Sequence, residues 1–264
     1  MLFQLTKLFL VVYSAIVLKE SYTPPLRSLT LPPQPTLSSP WPVWREYLII
    51  AGIACTTFPI QRVTYVIITL LESVYILSSL QQPPSHPSII STSTNTTTVT
   101  LLPSPSPSHT SPIAIFGLLV GIAGCLLRIS AYRALGKGFT YEIPDVTKGT
   151  PPAPKLVTTG PYTIVRHPSY TGLWMIAMGL PLYHLSLGSW VVESGFFDWK
   201  VEIGAFGMAV GRILAYAWVI AALAAPTLLT MRAGYEDVLM KKEFGSQWES
   251  WRARVKYRVI PWVY

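Results

Sequence analysis

The chain has 264 residues, half of them hydrophobic, only 12% charged, and its mean hydropathy is +0.41. A water-soluble domain carries roughly twice that charged fraction, so several helices dissolved in lipid fit better than one soluble core. The formal charge of +8 fits basic loops kept on the cytoplasmic side of a membrane, and nucleic acid is not expected as a partner.

Residues 2–18, "LFQLTKLFLVVYSAIVL", form the first apolar run, interrupted by Lys7. No small-residue cleavage pattern follows, which favours an uncleaved first helix over a signal peptide. The proline-rich stretch "TPPLRSLTLPPQPTLSSPWP" reads as an irregular connector. Residues 47–59, "YLIIAGIACTTFP", are short for a crossing and read as an interfacial or buried helix, with a full crossing as the alternative. Residues 63–80 are long enough to cross, and Glu72 in their middle is expected to face protein rather than lipid. From Gln81 to Pro112 the chain is Ser/Thr/Pro-biased and reads as a flexible loop. Its "NTT" at Asn95 is either a glycosylation acceptor or a chance sequon. Three further spans follow at 113–132, 171–188 and 203–230. Gly117 and Gly121 in the first, and Gly207 and Gly211 in the last, have GxxxG spacing, so these two faces are expected to pack on each other.

These elements predict an all-α integral membrane protein, a bundle of about five transmembrane helices, or six if 47–59 crosses by itself. They divide the chain into N-terminal helices with their connector (1–80), the Ser/Thr/Pro-rich loop (81–112) and a C-terminal region (113–264). Charge sets the orientation. Arg133, Lys137, Lys148, Lys155 and Arg166 precede the fourth main span, Lys241, Lys242, Arg252, Arg254, Lys256 and Arg258 lie in the tail, and 189–202 is acidic. The positive-inside rule places the 133–170 loop and the C-terminus together in the cytosol. Cys55 and Cys125 both lie in apolar surroundings, and no Cys/His ligand set is visible, so neither a disulfide framework nor a metal is expected.

The chemistry gathers in the two segments that this orientation brings to one side. In "LVTTGPYTIVRHPSY", Gly160-Pro161 marks a sharp turn, and Pro168 biases His167 away from helical geometry while allowing a helix to start. Tyr162, His167 and Tyr170 supply hydroxyl and imidazole partners for a polar cavity; interfacial anchoring is the plainer use of such residues. In "MRAGYEDVLMKKEFGSQWESWRARVKYRVIP", Arg232 and Glu236 are four apart and share a helix face. A surface ion pair is the plain reading, and a cation and carboxylate fixed beyond a membrane span is the functional one. Trp248 and Trp251 read as an interfacial lid resting among headgroups.

"LGKGFTYE", "KLVTTGPYTIVRHPSYTG", Arg-x-x-x-Glu-Asp and "EFGSQWESWRARVKYRVIP" together strongly resemble the isoprenylcysteine carboxyl methyltransferases, integral enzymes of the endoplasmic reticulum membrane, from about Ile113 to the C-terminus. The resemblance implies S-adenosyl-L-methionine as cofactor in a cytosol-facing pocket. Pro154, Lys155, Leu156, Val157, Tyr162, His167, Pro168, Ser169 and Tyr170 would line it, with Glu236 completing it. Arg232 would bind the substrate carboxylate, and Arg232 and Glu236 would form the catalytic pair. The implied partners are prenylated C-terminal cysteines and the lipid bilayer. The segment "IPDVTKGTPPAPK" departs from the family by its length, its prolines and the lack of a glutamine. A carboxylate of pKa near 3.5 is already ionised at neutral pH, so the implied reaction needs no general base. Three other readings stay open: phospholipid amine methylation, a nicotinamide-dependent sterol reductase, and a scaffold that retains the pocket without turnover.

Overall fold

The computed structural model describes residues 2–23, 41–81, 110–136, 155–196, 201–203, 206–208 and 210–263. The connector, most of the Ser/Thr/Pro-rich loop with Asn95, and Pro154 lie outside these. The architecture is helical: α1 (Leu2–Ser21), α2 (Trp41–Gly52), α3 (Phe58–Gln81), α4 (Pro112–Leu135), α5 (Pro168–His184), α6 (Trp190–Glu193), α7 (Val210–Phe244) and α8 (Ser246–Arg254). The strands β1 (Val201–Ile203) and β2 (Phe206–Met208) pair antiparallel in a short hairpin.

Among the described residues, α1, α3, α4 and α7 are long and apolar enough to cross a membrane. With 17 residues, α5 spans about 26 Å, the short end of what crosses a bilayer. It packs along α4, and the sequence reading of about five crossings compares with four candidate spans among the described residues.

Several boundaries differ from the sequence reading, α5 among them, which runs Pro168–His184 rather than 171–188. The 47–59 stretch is not a separate element: it belongs to one helical run from Trp41 to Gln81, interrupted only by a π-turn at Ile53–Thr57. Gly52 and Phe58, on either side, both keep right-handed helical dihedrals, and the Phe58 N–H reaches the Ile53 carbonyl. Pro59 follows immediately; it cannot donate, and its ring crowds the carbonyl four residues back, which a widened turn relieves. The last span starts at Val210 rather than Ile203, because Ile203 and Gly207 lie in the hairpin. It then runs 35 residues, carrying the Arg232–Glu236 segment on the same rigid helix.

The glycine interface also differs. Gly117 and Gly121 meet α5, not the 207/211 pair, which does not share a helix. A Cβ on Gly179 would stand 2.5 Å from both the Gly117 carbonyl oxygen and the Gly121 nitrogen. One on Gly124 would stand 2.6 Å from the Gly172 oxygen. The pairing of 117 with 179 and of 124 with 172 makes the two helices antiparallel at backbone contact. Gly179→Ala is therefore expected to cost about 1–3 kcal/mol by overpacking. Denaturant unfolding of the purified protein in detergent measures it, and Met178→Ala on the exposed neighbour should cost much less.

At the end of the bundle where α5 finishes, Glu72 is fully buried and forms an ion pair with Lys7 at 2.8 Å. Tyr183 Oη donates to Glu72 at 2.8 Å and the Trp190 N–H at 2.6 Å, while Lys7 Nζ donates to the Gly188 carbonyl at 2.6 Å. Glu72 does face protein, and the network ties α1, α3, α5 and α6 together with both charges compensated. The start of α1 thus lies at this end, and the start of α5 at the other.

Candidate functional site

The site is assembled where α4 and α7 run toward their C-terminal ends and α5 begins. Gly160 takes a positive φ of 61°, followed by a tight 3-10 turn at Gly160–Thr163 that buries Tyr162. The chain then extends through Val165, Arg166 and His167 to Pro168, the first residue of α5. His167 has φ −123° and ψ 64°, the non-helical geometry that a following proline enforces.

This extended piece is paired with the tail. The Arg166 N–H donates to the Tyr257 carbonyl at 3.0 Å and the His167 N–H to that of Arg258 at 2.8 Å. Arg166 Nη1 donates to the carbonyls of Val255 and Lys256 at 3.0 and 2.9 Å. Residues 255–259 thus form a strap across the start of α5. Asp237 locks it, accepting from Arg166 Nη2 and Arg258 Nε, both at 2.9 Å, and contacting His167 Nε2 at 3.2 Å. Trp248 and Trp251 are 2% and 1% exposed, and Trp251 Nε1 donates to the Tyr162 carbonyl. They are packed inside protein against Tyr162, Ala131 and Val255, not spread among headgroups as the sequence suggested.

On the next face of α7, Glu236 gathers the expected residues. Tyr170 Oη donates to its Oε1 at 2.7 Å, His167 Nδ1 stands 3.3 Å from Oε2, and Arg232 Nε lies 3.2 Å from Oε1. The His167 and Tyr170 rings stack with centroids 5.3 Å apart. Both imidazole nitrogens therefore face carboxylates. Burial opposes protonation of His167, but the hydrogen bonds and charges of Asp237 and Glu236 outweigh it and raise its pKa above 6.5. A raised folded-state pKa gives stability that is fully present below 6.5 and is lost as pH rises through the raised value. The stability gap between wild type and His167→Asn should accordingly be widest in mildly acidic buffer and narrow with alkalinity. Melting curves across pH test this, and a gap constant with pH would contradict it.

A cavity of about 70 Å³ opens beside these groups, bordered by Arg128, Tyr132, Ser169, Tyr170, Arg232 and Glu236, with apolar walls from Ile50, Ile53, Phe58 and Leu229. Of the sequence candidates, Ser169, Tyr170, Arg232 and Glu236 border it, and His167 and Pro168 stand behind them. Leu156, Val157 and Tyr162 belong to the apolar cluster with Trp248 and Trp251, and Lys155 is exposed. Arg128 and Asp237 were missed. An arginine inside an apolar span was a readable signal; a second acid beside Glu236 was not a distinctive one. Among the described residues no cluster could hold a metal.

Residues 113–195 match the family described as phospholipid methyltransferase. The chain is also similar to protein-S-isoprenylcysteine O-methyltransferase B of Arabidopsis thaliana, 31% identical over 143 residues. That alignment covers 54% of this chain and 57% of the relative, so the chain spans a little over half the length of the curated relative it matches. No solved structure matches.

Proposed function

We propose that this chain is a membrane methyltransferase that uses S-adenosylmethionine to esterify the C-terminal carboxylate of a prenylated cysteine. The carrying observation is the convergence of Arg232, Glu236, Tyr170 and His167 at one cavity, on the last apolar helix and the turn before α5. The similarity to a prenylcysteine methyltransferase supports the choice of acceptor.

The donor set suits the two ligands. Glu236 offers carboxylate oxygens to a cationic or hydroxyl-bearing donor, with Tyr170 and His167 fixing its orientation. The Arg232 guanidinium matches a carboxylate with its planar fork. At about 70 Å³ the cavity is too small for a whole donor, so only the reacting carboxylate and methyl group would meet there. The rest of the donor would lie along the Leu156–Tyr162 flank. When bound, S-adenosylmethionine supplies an electrophilic methyl group on a sulfonium. The protein aligns the acceptor oxygen on Arg232, excludes water with Phe58, Ile53 and Leu229, and moves no proton, since the acceptor is already ionised. The prenyl chain would enter sideways between helices, and loss of the carboxylate charge would strengthen attachment of the product to the bilayer. The basic segments ending at Arg166 and in the tail meet at this end, supporting a cytosol-facing site, and the endoplasmic reticulum membrane is the proposed location.

A second reading, methylation of a phospholipid amine, has the family match in its favour. An amine acceptor must lose a proton, and two guanidinium groups bordering the cavity disfavour a cationic acceptor. Labelled S-adenosylmethionine offered to membranes with farnesylcysteine or phosphatidylethanolamine separates the two. Base-labile label on farnesylcysteine is expected; label only in lipid would favour the amine, and no transfer would leave the reductase or scaffold readings.

A further inference from the structure

The cavity beside Glu236 has no room for a long apolar chain, and a larger one lies along the bundle. It holds about 450 Å³ between α3 and α7, with Ile67, Ile68 and Leu71 on one wall and Ala215, Trp218 and Ala221 on the other. Ile60, Ile67 and Leu214 on its rim are exposed, so the groove opens sideways where the spans meet lipid.

Three contacts order this groove along the bundle. Phe58, which borders the candidate site, packs with Ala225 and Leu229. One turn further along α3, Gln61 Nε2 donates to the Trp218 carbonyl at 3.2 Å. Ile68 and Leu71 then pack against Trp190 and Val191 of α6. The helical rise from Phe58 to Leu71 is roughly 20 Å. The groove thus begins within a turn of the site and ends at α6.

That end is rigid. Trp190 and Val191 are both buried, and the Trp190 N–H donates to Glu72 at 2.6 Å. Glu72 is itself held by Lys7 and Tyr183, each at 2.8 Å. The buried ion pair has no part in the chemistry at the site, and it anchors the wall that closes the groove.

We infer that α6 is a fixed stop that sets the longest prenyl chain this protein accepts, the chain lying between α3 and α7 with its cysteine toward Arg232. This rests on the methyl-transfer reading. An apolar chain gains in proportion to the surface it buries, up to the length at which it meets the wall. A longer chain has to push aside packed side chains, which a close-packed interior resists.

Methyl transfer by the full chain in lipid nanodiscs, offered geranyl-, farnesyl-, geranylgeranyl- and geranylfarnesylcysteine, reads the stop. Trp190→Ala keeps the backbone N–H for Glu72 and cuts back the wall. It should raise kcat/KM for the longest acceptor about tenfold relative to farnesylcysteine. Ala215→Phe fills the groove toward α6 and should shift the preference about tenfold the other way, toward the shortest acceptor. Each readout is a ratio between chain lengths, so a smaller folded fraction leaves it unmoved. Unchanged ratios in Trp190→Ala, or equal losses for all chains in Ala215→Phe, would overturn the stop and leave the methyl-transfer reading standing. A wild-type chain that methylates none of the four would instead overturn that reading and this inference with it.

Discussion

Arg232→Ala is expected to lower kcat/KM for methyl transfer to farnesylcysteine by about 10²–10³-fold while S-adenosylmethionine affinity stays within about threefold. Arg232 is 6% exposed and borders the cavity, so its loss would remove the planar fork proposed to hold the acceptor carboxylate. Glu236 would lose one of its three contacts but keep Tyr170 and His167, which orient the carboxylate proposed to hold the donor. Glu236→Gln should show the opposite split, weakening the donor because a neutral amide cannot balance a cationic ligand. Steady-state kinetics with both substrates varied, alongside equilibrium donor binding, separates the two. Equal losses of donor binding in both variants would mean that Arg232 and Glu236 do not divide the ligands between them.

Asp237→Asn should have the largest structural effect. One carboxylate holds Arg166, Arg258 and His167, and the first and last of these are almost fully buried. Removing its charge leaves buried cations uncompensated, at a cost of about 2–4 kcal/mol, less than a wholly buried pair because Arg258 is 32% exposed. The strap at 255–259 depends on these contacts, so limited proteolysis should cut near Tyr257 faster in the variant. Glu249→Gln, which breaks a pair that is 56% exposed on both sides, should change neither the melting temperature nor the cleavage rate. Equal behaviour of the two variants would show that Asp237 does not hold the strap.

The extent to which the sequence could be read follows from the range of the interactions. Local signals carried far. Pro168 after His167 marked the start of α5, Gly160-Pro161 marked the turn, and the four-residue spacing put Arg232 and Glu236 on one face. Each of these is decided within a few residues by backbone sterics. What went unread depends on partners distant in sequence. The Gly117–Gly121 face was visible, but its partner at Gly179 was not, since small residues occur in several spans. Trp248 and Trp251 had the composition of headgroup anchors, and only the arrival of Tyr162 against them makes them core. The cavity wall drew on Ile50, Ile53 and Phe58, from a half of the chain without recognisable motifs. Hydropathy also ran the last span back to Ile203, because it does not register that β-branched residues and glycines can turn an apolar stretch into a hairpin.

The central claim is that the turn ahead of α5 and the C-terminal part of α7 enclose one methyl donor. Direct ultraviolet crosslinking of methyl-labelled S-adenosylmethionine to the purified chain, followed by peptide mapping, tests it most directly. The label should fall in peptides covering 155–174 and 229–240 and be competed away by S-adenosylhomocysteine. Competable label confined to residues 1–81, or none at all, would contradict the account.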